Sequence, residues 1–79
     1  MALAFLLVSC EVGAEKTVID ELKTFDAVKE VIGTFGAFDI LVKLEIDSYQ
    51  KLIDTITQKI RKMNKVGTTI TLMVIQEQE

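Results

Sequence analysis

Apolar and polar residues alternate most cleanly between Phe38 and Asp47. Phe38, Ile40, Val42, Leu44 and Ile46 share one parity, and Asp39, Leu41, Lys43, Glu45 and Asp47 the other. That period of two predicts a strand with one face on a core. Leu3 to Cys10 is apolar at both parities, which predicts a strand covered on both faces. Val28 to Phe35, rich in β-branched residues, predicts a strand running into a turn at Gly36. Thr68 to Ile75 predicts the last strand, with Ile70, Leu72 and Val74 on one face and Thr69, Thr71, Met73 and Ile75 on the other. Gln76 to Glu79 reads as a polar tail.

Two stretches follow the helical period instead. After Gly13, Glu15 to Phe25 places Val18, Ile19, Leu22 and Phe25 in one stripe, and Asp26 and Ala27 end it. Tyr49, Leu52, Ile53, Ile56, Ile60 and Met63 form a second stripe over about four turns. Asp47 or Ser48 can cap that helix, with Gln50 placed to reach back to Asp47.

The resulting order is βαββαβ, and its halves echo each other. Val18, Leu22, Phe25 and Val28 each fall 38 positions before Ile56, Ile60, Met63 and Val66. Two βαβ units joined by a hairpin predict an α+β, ferredoxin-like sandwich. Right-handed crossovers then put both helices on one face of a four-stranded antiparallel sheet of order 4-1-3-2. The other face stays bare, yet one parity of the first strand, Leu41, Met73 and Ile75 are expected to make it apolar. A patch of that kind is larger than monomers usually expose, so a homodimer packed sheet to sheet is expected.

Composition narrows the function. At 79 residues the chain is expected to be a single domain over 1–79, and 49% hydrophobic content is high for so small a protein. No apolar run approaches the roughly 20 residues that cross a membrane, and Met1 to Val8 lacks the marks of a signal peptide, so no membrane association is expected. A net charge of −3 with dispersed lysines argues against direct nucleic-acid binding. The single cysteine, Cys10, fits a reducing cytoplasm and reads as a buried strand-end thiol.

Catalytic parts are scarce. There is no histidine, so Cys/His catalysis and thiolate metal sites lack their components, and neither a metal nor a cofactor is expected. Acylphosphatase-type chemistry needs an arginine by an anion loop, but the sole arginine, Arg61, falls on the second helix. RNA-recognition modules need exposed aromatics beside basic residues, where the third strand carries Leu41, Lys43 and Glu45. An enzyme is not expected. What remains is a constellation in which Gly36 supplies accessible amides, Asp39 a carboxylate, and Thr69 and Thr71 hydroxyls. Together they suit a zwitterionic amino acid. Spacing alone leaves open a plainer role, with Asp39 capping its own turn and the threonines serving β-propensity.

Phe5 to Val12, Gly36-Ala37-Phe38-Asp39-Ile40 and Val66-Gly67-Thr68-Thr69-Ile70-Thr71-Leu72 resemble the C-terminal effector (RAM) domain of the Lrp/AsnC feast-and-famine regulators. The resemblance covers residues 3 to 76, and its most specific element is Gly-x-Phe/Tyr-Asp opening the third strand. It implies sheet-to-sheet dimers, often in higher homo-oligomers, and an amino-acid effector bound between dimers. Gly36, Phe38 and Asp39 match the turn motif, and Thr69 and Thr71 the strand that helps line the pocket. Family regulators carry an N-terminal helix-turn-helix that this sequence lacks. A stand-alone module is therefore expected, acting on transcription only indirectly, as an amino-acid sensor or as a ligand-independent partner of a full-length regulator. An ACT-type amino-acid-binding domain is the remaining alternative, supported by Gly13 after the first strand.

Overall fold

The computed structural model describes residues 1–75, so Gln76–Glu79, read as a polar tail, lie outside the described residues. Strands β1 (Ala2–Cys10), β2 (Val28–Gly33), β3 (Ile40–Ile46) and β4 (Val66–Met73) alternate with α1 (Glu15–Leu22) and α2 (Tyr49–Asp54) in the order βαββαβ. The sheet order is β2-β3-β1-β4, with β1 antiparallel to both β3 and β4. Central strands and helices meet in one core, where Leu6, Ile40, Val42, Leu44, Leu22, Leu52 and Ile60 are fully buried. Alternation in β1 is strict, with Ala4, Leu6 and Val8 buried under the helices and Leu3, Phe5 and Leu7 half-buried on the open face. Both parities are apolar, but within the chain only the helix-facing set is fully covered, so the expected cover on both faces is met on one of them.

The second helix is less regular than its stripe predicted. Ser48, rather than Asp47, caps it by accepting from the Lys51 amide at 3.3 Å, while Gln50 donates to Asp54 at 3.0 Å. Beyond Asp54 it widens into a π-helical segment, Thr55–Ile60, closed by the Arg61 amide donating to the Ile56 carbonyl five residues back at 2.9 Å. Within the wide turns, the Thr55 and Thr57 hydroxyls each donate to the carbonyl four residues earlier at 2.9 Å. Leu52 in α2 and Ile56 and Ile60 in the π-helical segment all stay on the core, although the chain is no longer α-helical beyond Asp54.

The 38-residue echo extends from side chains to backbone. The Phe25 and Val28 amides donate to the Leu22 and Phe25 carbonyls at 3.2 and 3.1 Å, and the Met63 and Val66 amides donate to the Ile60 and Met63 carbonyls at 3.1 Å. The strand that follows each helix then bulges at the equivalent place. Val28 pairs with Leu44 but Glu30 with Lys43, and Val66 pairs with Cys10 but Thr69 with Val8, so each outer strand holds one extra residue. An extra residue reverses every later side chain. In β4 the reversal sends Thr69, Thr71 and Met73 to the helix face, opposite Val8, Leu6 and Ala4, and sends Ile70 and Leu72 to the open face, opposite Leu7 and Phe5. The expected assignment of the two faces of this strand is therefore inverted. The bare face is apolar through Ile70 and Leu72 rather than Met73 and Ile75.

Candidate functional site

The turn between β2 and β3 is built by four hydrogen bonds. The Thr34 amide donates to the Asp39 carbonyl at 2.8 Å and the Thr34 hydroxyl to the Phe38 carbonyl at 2.7 Å, closing the loop on itself. The Asp39 amide donates to the Val8 carbonyl at 3.0 Å, and an Asp39 carboxylate oxygen accepts from the Cys10 amide at 3.0 Å. These last two bonds fasten the loop to the end of β1. Gly36 has φ +125°, a value that side chains rarely adopt, so glycine is needed for the reversal. Nothing lies within 4 Å of where a Cβ of Gly36 would stand, which leaves its backbone open to another group. Phe35 beside it is fully exposed and Phe38 half-buried.

Asp39 also sets the environment of the lone thiol. Burial, and after it the negative charge of Asp39, push the Cys10 thiol above its ordinary value, with Glu15 and Glu11 adding in the same direction. Cys10 is thereby held protonated and poorly nucleophilic.

The five residues singled out in the sequence fall into two places. Gly36, Phe38 and Asp39 converge at the turn. Thr69 and Thr71 do not join them, since they lie on the helix face of the far edge strand, two strand spacings or about 10 Å from β3. The Thr69 hydroxyl accepts from Arg61 Nε at 3.0 Å. Thr71 lines a groove between β4 and the second helix, along with Tyr49, Ile53, Ile56, Arg61 and Met73, with its hydroxyl shielded from solvent. That groove escaped the sequence reading because its helical wall runs from α2 into the π-helical segment, and nothing in the apolar spacing distinguishes wide turns from α-helical ones.

The open sheet face is the other surface of note. Leu3, Phe5, Leu7 and Leu41 are half-buried on it, and Ile32, Ile70 and Leu72 are 44%, 42% and 52% exposed. Glu30 and Lys43, paired across β2 and β3, put charge at one side of this apolar strip.

Comparison with known proteins agrees with this architecture. The family model of the Lrp/AsnC ligand binding domain matches residues 3–78. Among solved structures, FFRP-DM1 is 37% identical with a TM-score of 0.92, over 95% of this chain and 100% of that one. A hypothetical protein from Pyrococcus horikoshii is 38% identical with a TM-score of 0.91, over 98% of this chain and 93% of that one. A transcriptional regulator from Neisseria meningitidis, solved in complex with L-methionine, has a TM-score of 0.82 at 14% identity, over 99% of this chain and 52% of that one. The last likeness is one of fold, and this chain spans about half of that regulator's length. Comparison with curated proteins gives no match. The ACT-type alternative, which rested on Gly13, gives way to the family match. With its ferredoxin-like βαββαβ sandwich and its Gly36-to-Asp39 turn, the chain belongs to the Lrp/AsnC ligand-binding domain family.

Proposed function

We propose that the protein is an amino-acid-sensing, oligomeric effector module that acts in the cytoplasm and influences transcription only indirectly. The observation that carries this reading is the match to a ligand-binding domain family over nearly the whole chain. Support comes also from the Neisseria regulator of the same fold, whose structure contains L-methionine. The effector sits at the Gly36–Asp39 turn, where open backbone at Gly36 suits the carboxylate and Asp39 the ammonium. Within one protomer neither Thr69 nor Thr71 reaches that place. The hydroxyl at the turn is that of Thr34, which already donates to the Phe38 carbonyl, so on this reading a further hydroxyl for the carboxylate comes from an adjoining protomer, which ties binding to assembly. The assembly itself begins as a homodimer packed through the open sheet face, with higher homo-oligomers built on it.

Isothermal titration of an oligomeric sample with each of the twenty amino acids tests this reading. Binding in the micromolar-to-millimolar range, weakened by Asp39→Ala, is the expected result. Absence of heat for all twenty at millimolar concentration overturns it.

One observation favours a second reading. An Asp39 oxygen already accepts the Cys10 amide within the chain, a structural task that needs no ligand. On that reading the module is a ligand-independent assembly partner of a full-length Lrp/AsnC regulator. Co-purification with such a regulator, unchanged by added amino acids, selects this reading, and ligand-dependent oligomer size selects the first.

A further inference from the structure

Outer strands of natural sheets are ordinarily guarded against further pairing by charged side chains, shortness or bulges. At the β2 edge that guard is present, in a strand of six residues that carries Lys29 and Glu30 and bulges between Val28 and Glu30. At the β4 edge it is missing. Val66–Met73 holds no charged residue, its bulge lies before Thr69, and from Thr69 to Met73 the register against β1 is unbroken. The Val74 amide continues that ladder by donating to the Leu3 carbonyl at 3.0 Å. Backbone groups along an antiparallel pair face alternately towards the partner and away from it. Ile70 and Leu72 therefore turn their amides and carbonyls towards β1, and those of Thr69, Thr71 and Met73 point out of the sheet. No other element of the described chain supplies partners for them.

The groove beside the second helix runs along this edge. Thr71 and Met73 form its strand side, and Tyr49, Ile53 and Ile56 its helical side. Its lining is almost wholly apolar, and its volume of about 230 Å³ lies below the roughly 300–1,000 Å³ of sites for drug-sized ligands. It suits side chains projecting from a strand better than a whole small molecule. Charge sets the composition of that strand. From Thr55 to Ile75, the stretch that builds the π-helical segment and β4, Lys59, Arg61, Lys62 and Lys65 are exposed and no acidic residue occurs. Arg61 is tied to the edge strand itself, its Nε donating to the Thr69 hydroxyl at 3.0 Å.

We infer that the β4 edge is a docking site for an extended, acidic peptide segment of another protein, which adds antiparallel to the four-stranded sheet. Its backbone bonds to Thr69, Thr71 and Met73, its aliphatic side chains of one parity enter the groove, and its acidic residues meet the basic stretch. The inference does not rest on the effector reading, because this edge and the Gly36–Asp39 turn share no residue.

Amide hydrogen exchange of the full chain, followed by NMR during titration with the peptide acetyl-Glu-Ile-Thr-Val-Thr-Ile-Glu-amide, tests it. The Thr69, Thr71 and Met73 amides should exchange fast in the free protein and gain about tenfold protection or more at millimolar peptide. The same peptide N-methylated at its isoleucines and valine keeps its side chains but loses the amides that face β4, and should bind about tenfold more weakly or worse. Lysine in place of both glutamates should weaken binding several-fold. Thr71→Pro removes one outward amide and leaves the bonds to β1, so it should abolish binding while keeping the folded spectrum. No gain in protection at the three amides overturns the inference, as does equal binding of the methylated peptide or a preference for the lysine peptide. Protection that grows with protein concentration in the absence of peptide also overturns it, because a second copy of the chain then occupies this edge.

Discussion

Asp39 is the residue on which the turn depends most directly. Its side chain accepts the Cys10 amide across 29 residues of sequence, and its own amide holds the Val8 carbonyl. Asp39→Ala leaves a part-buried amide without its acceptor and should cost about 1–2 kcal/mol. Urea unfolding should show this as a lower midpoint with an unchanged slope. Asp39→Asn keeps an acceptor but removes the charge, and so separates the two effects on Cys10. Because burial is the larger cause of the raised thiol value and Asp39 the next, the Asn variant should bring that value part of the way back. Its Cys10 should alkylate faster with iodoacetamide at pH 8 than the wild type does, since more thiolate is present. The sign for stability follows: a fold that favours the neutral thiol gains from it below the thiol's ordinary value. That gain is lost as pH rises through the raised one. The sequence marks Asp39 as special through the glycine turn before it. It carries no sign of the Cys10 contact, because a bond between residues so far apart in the chain leaves no local pattern.

At the scale of elements, what is legible is the repeat, and what is lost is what interrupts it. Helical spacing in Val18–Leu22 and Ile56–Ile60 identifies equivalent core positions, and the structure makes them equivalent down to the hydrogen bonds that leave each helix. Leu22 and Ile60 are both fully buried. Leu22→Ala and Ile60→Ala should therefore destabilise by similar amounts, about 2–5 kcal/mol each. Chemical denaturation measures both, and a much smaller cost at Ile60 would show that the π-helical segment relaxes around the lost side chain where a regular helix does not. The bulges are a different matter. Carried forward from Val66, simple alternation puts Ile70 and Leu72 into the core, but the extra residue between Val66 and Thr69 reverses the parity. The usual tie-break, that the more apolar set faces the core, fails in β4 because the sheet's other face is apolar too.

For the whole molecule, the consequence of that reversal is the open face itself. Ile70 and Leu72 lie beside Leu7 and Phe5, and Leu41 and Ile32 continue the strip across β3 and β2. The helices cover only the opposite side of the sheet, so this strip is left bare within the chain, and it is the surface through which the proposed homodimer packs. Each of Ile70 and Leu72 still has about half its surface in water, so covering it is worth about 1 kcal/mol out of the roughly 1.5–3 for a full side chain. A two-fold interface uses both residues twice. Replacing the pair by lysine thus forgoes about 4 kcal/mol, close to a thousandfold in dissociation constant, before any cost of desolvating four ammonium groups. Sedimentation equilibrium should find the wild type dimeric or larger at micromolar concentration and the Ile70→Lys, Leu72→Lys variant monomeric. The substitution leaves the helix face untouched, so the monomer should keep the wild-type far-UV spectrum. Val12→Lys, at a fully exposed loop position away from the sheet, is the matched control and should leave the assembly unchanged. An unaltered oligomer in the double variant would mean that copies of the chain meet through a different surface, and that the apolar strip is kept for another partner.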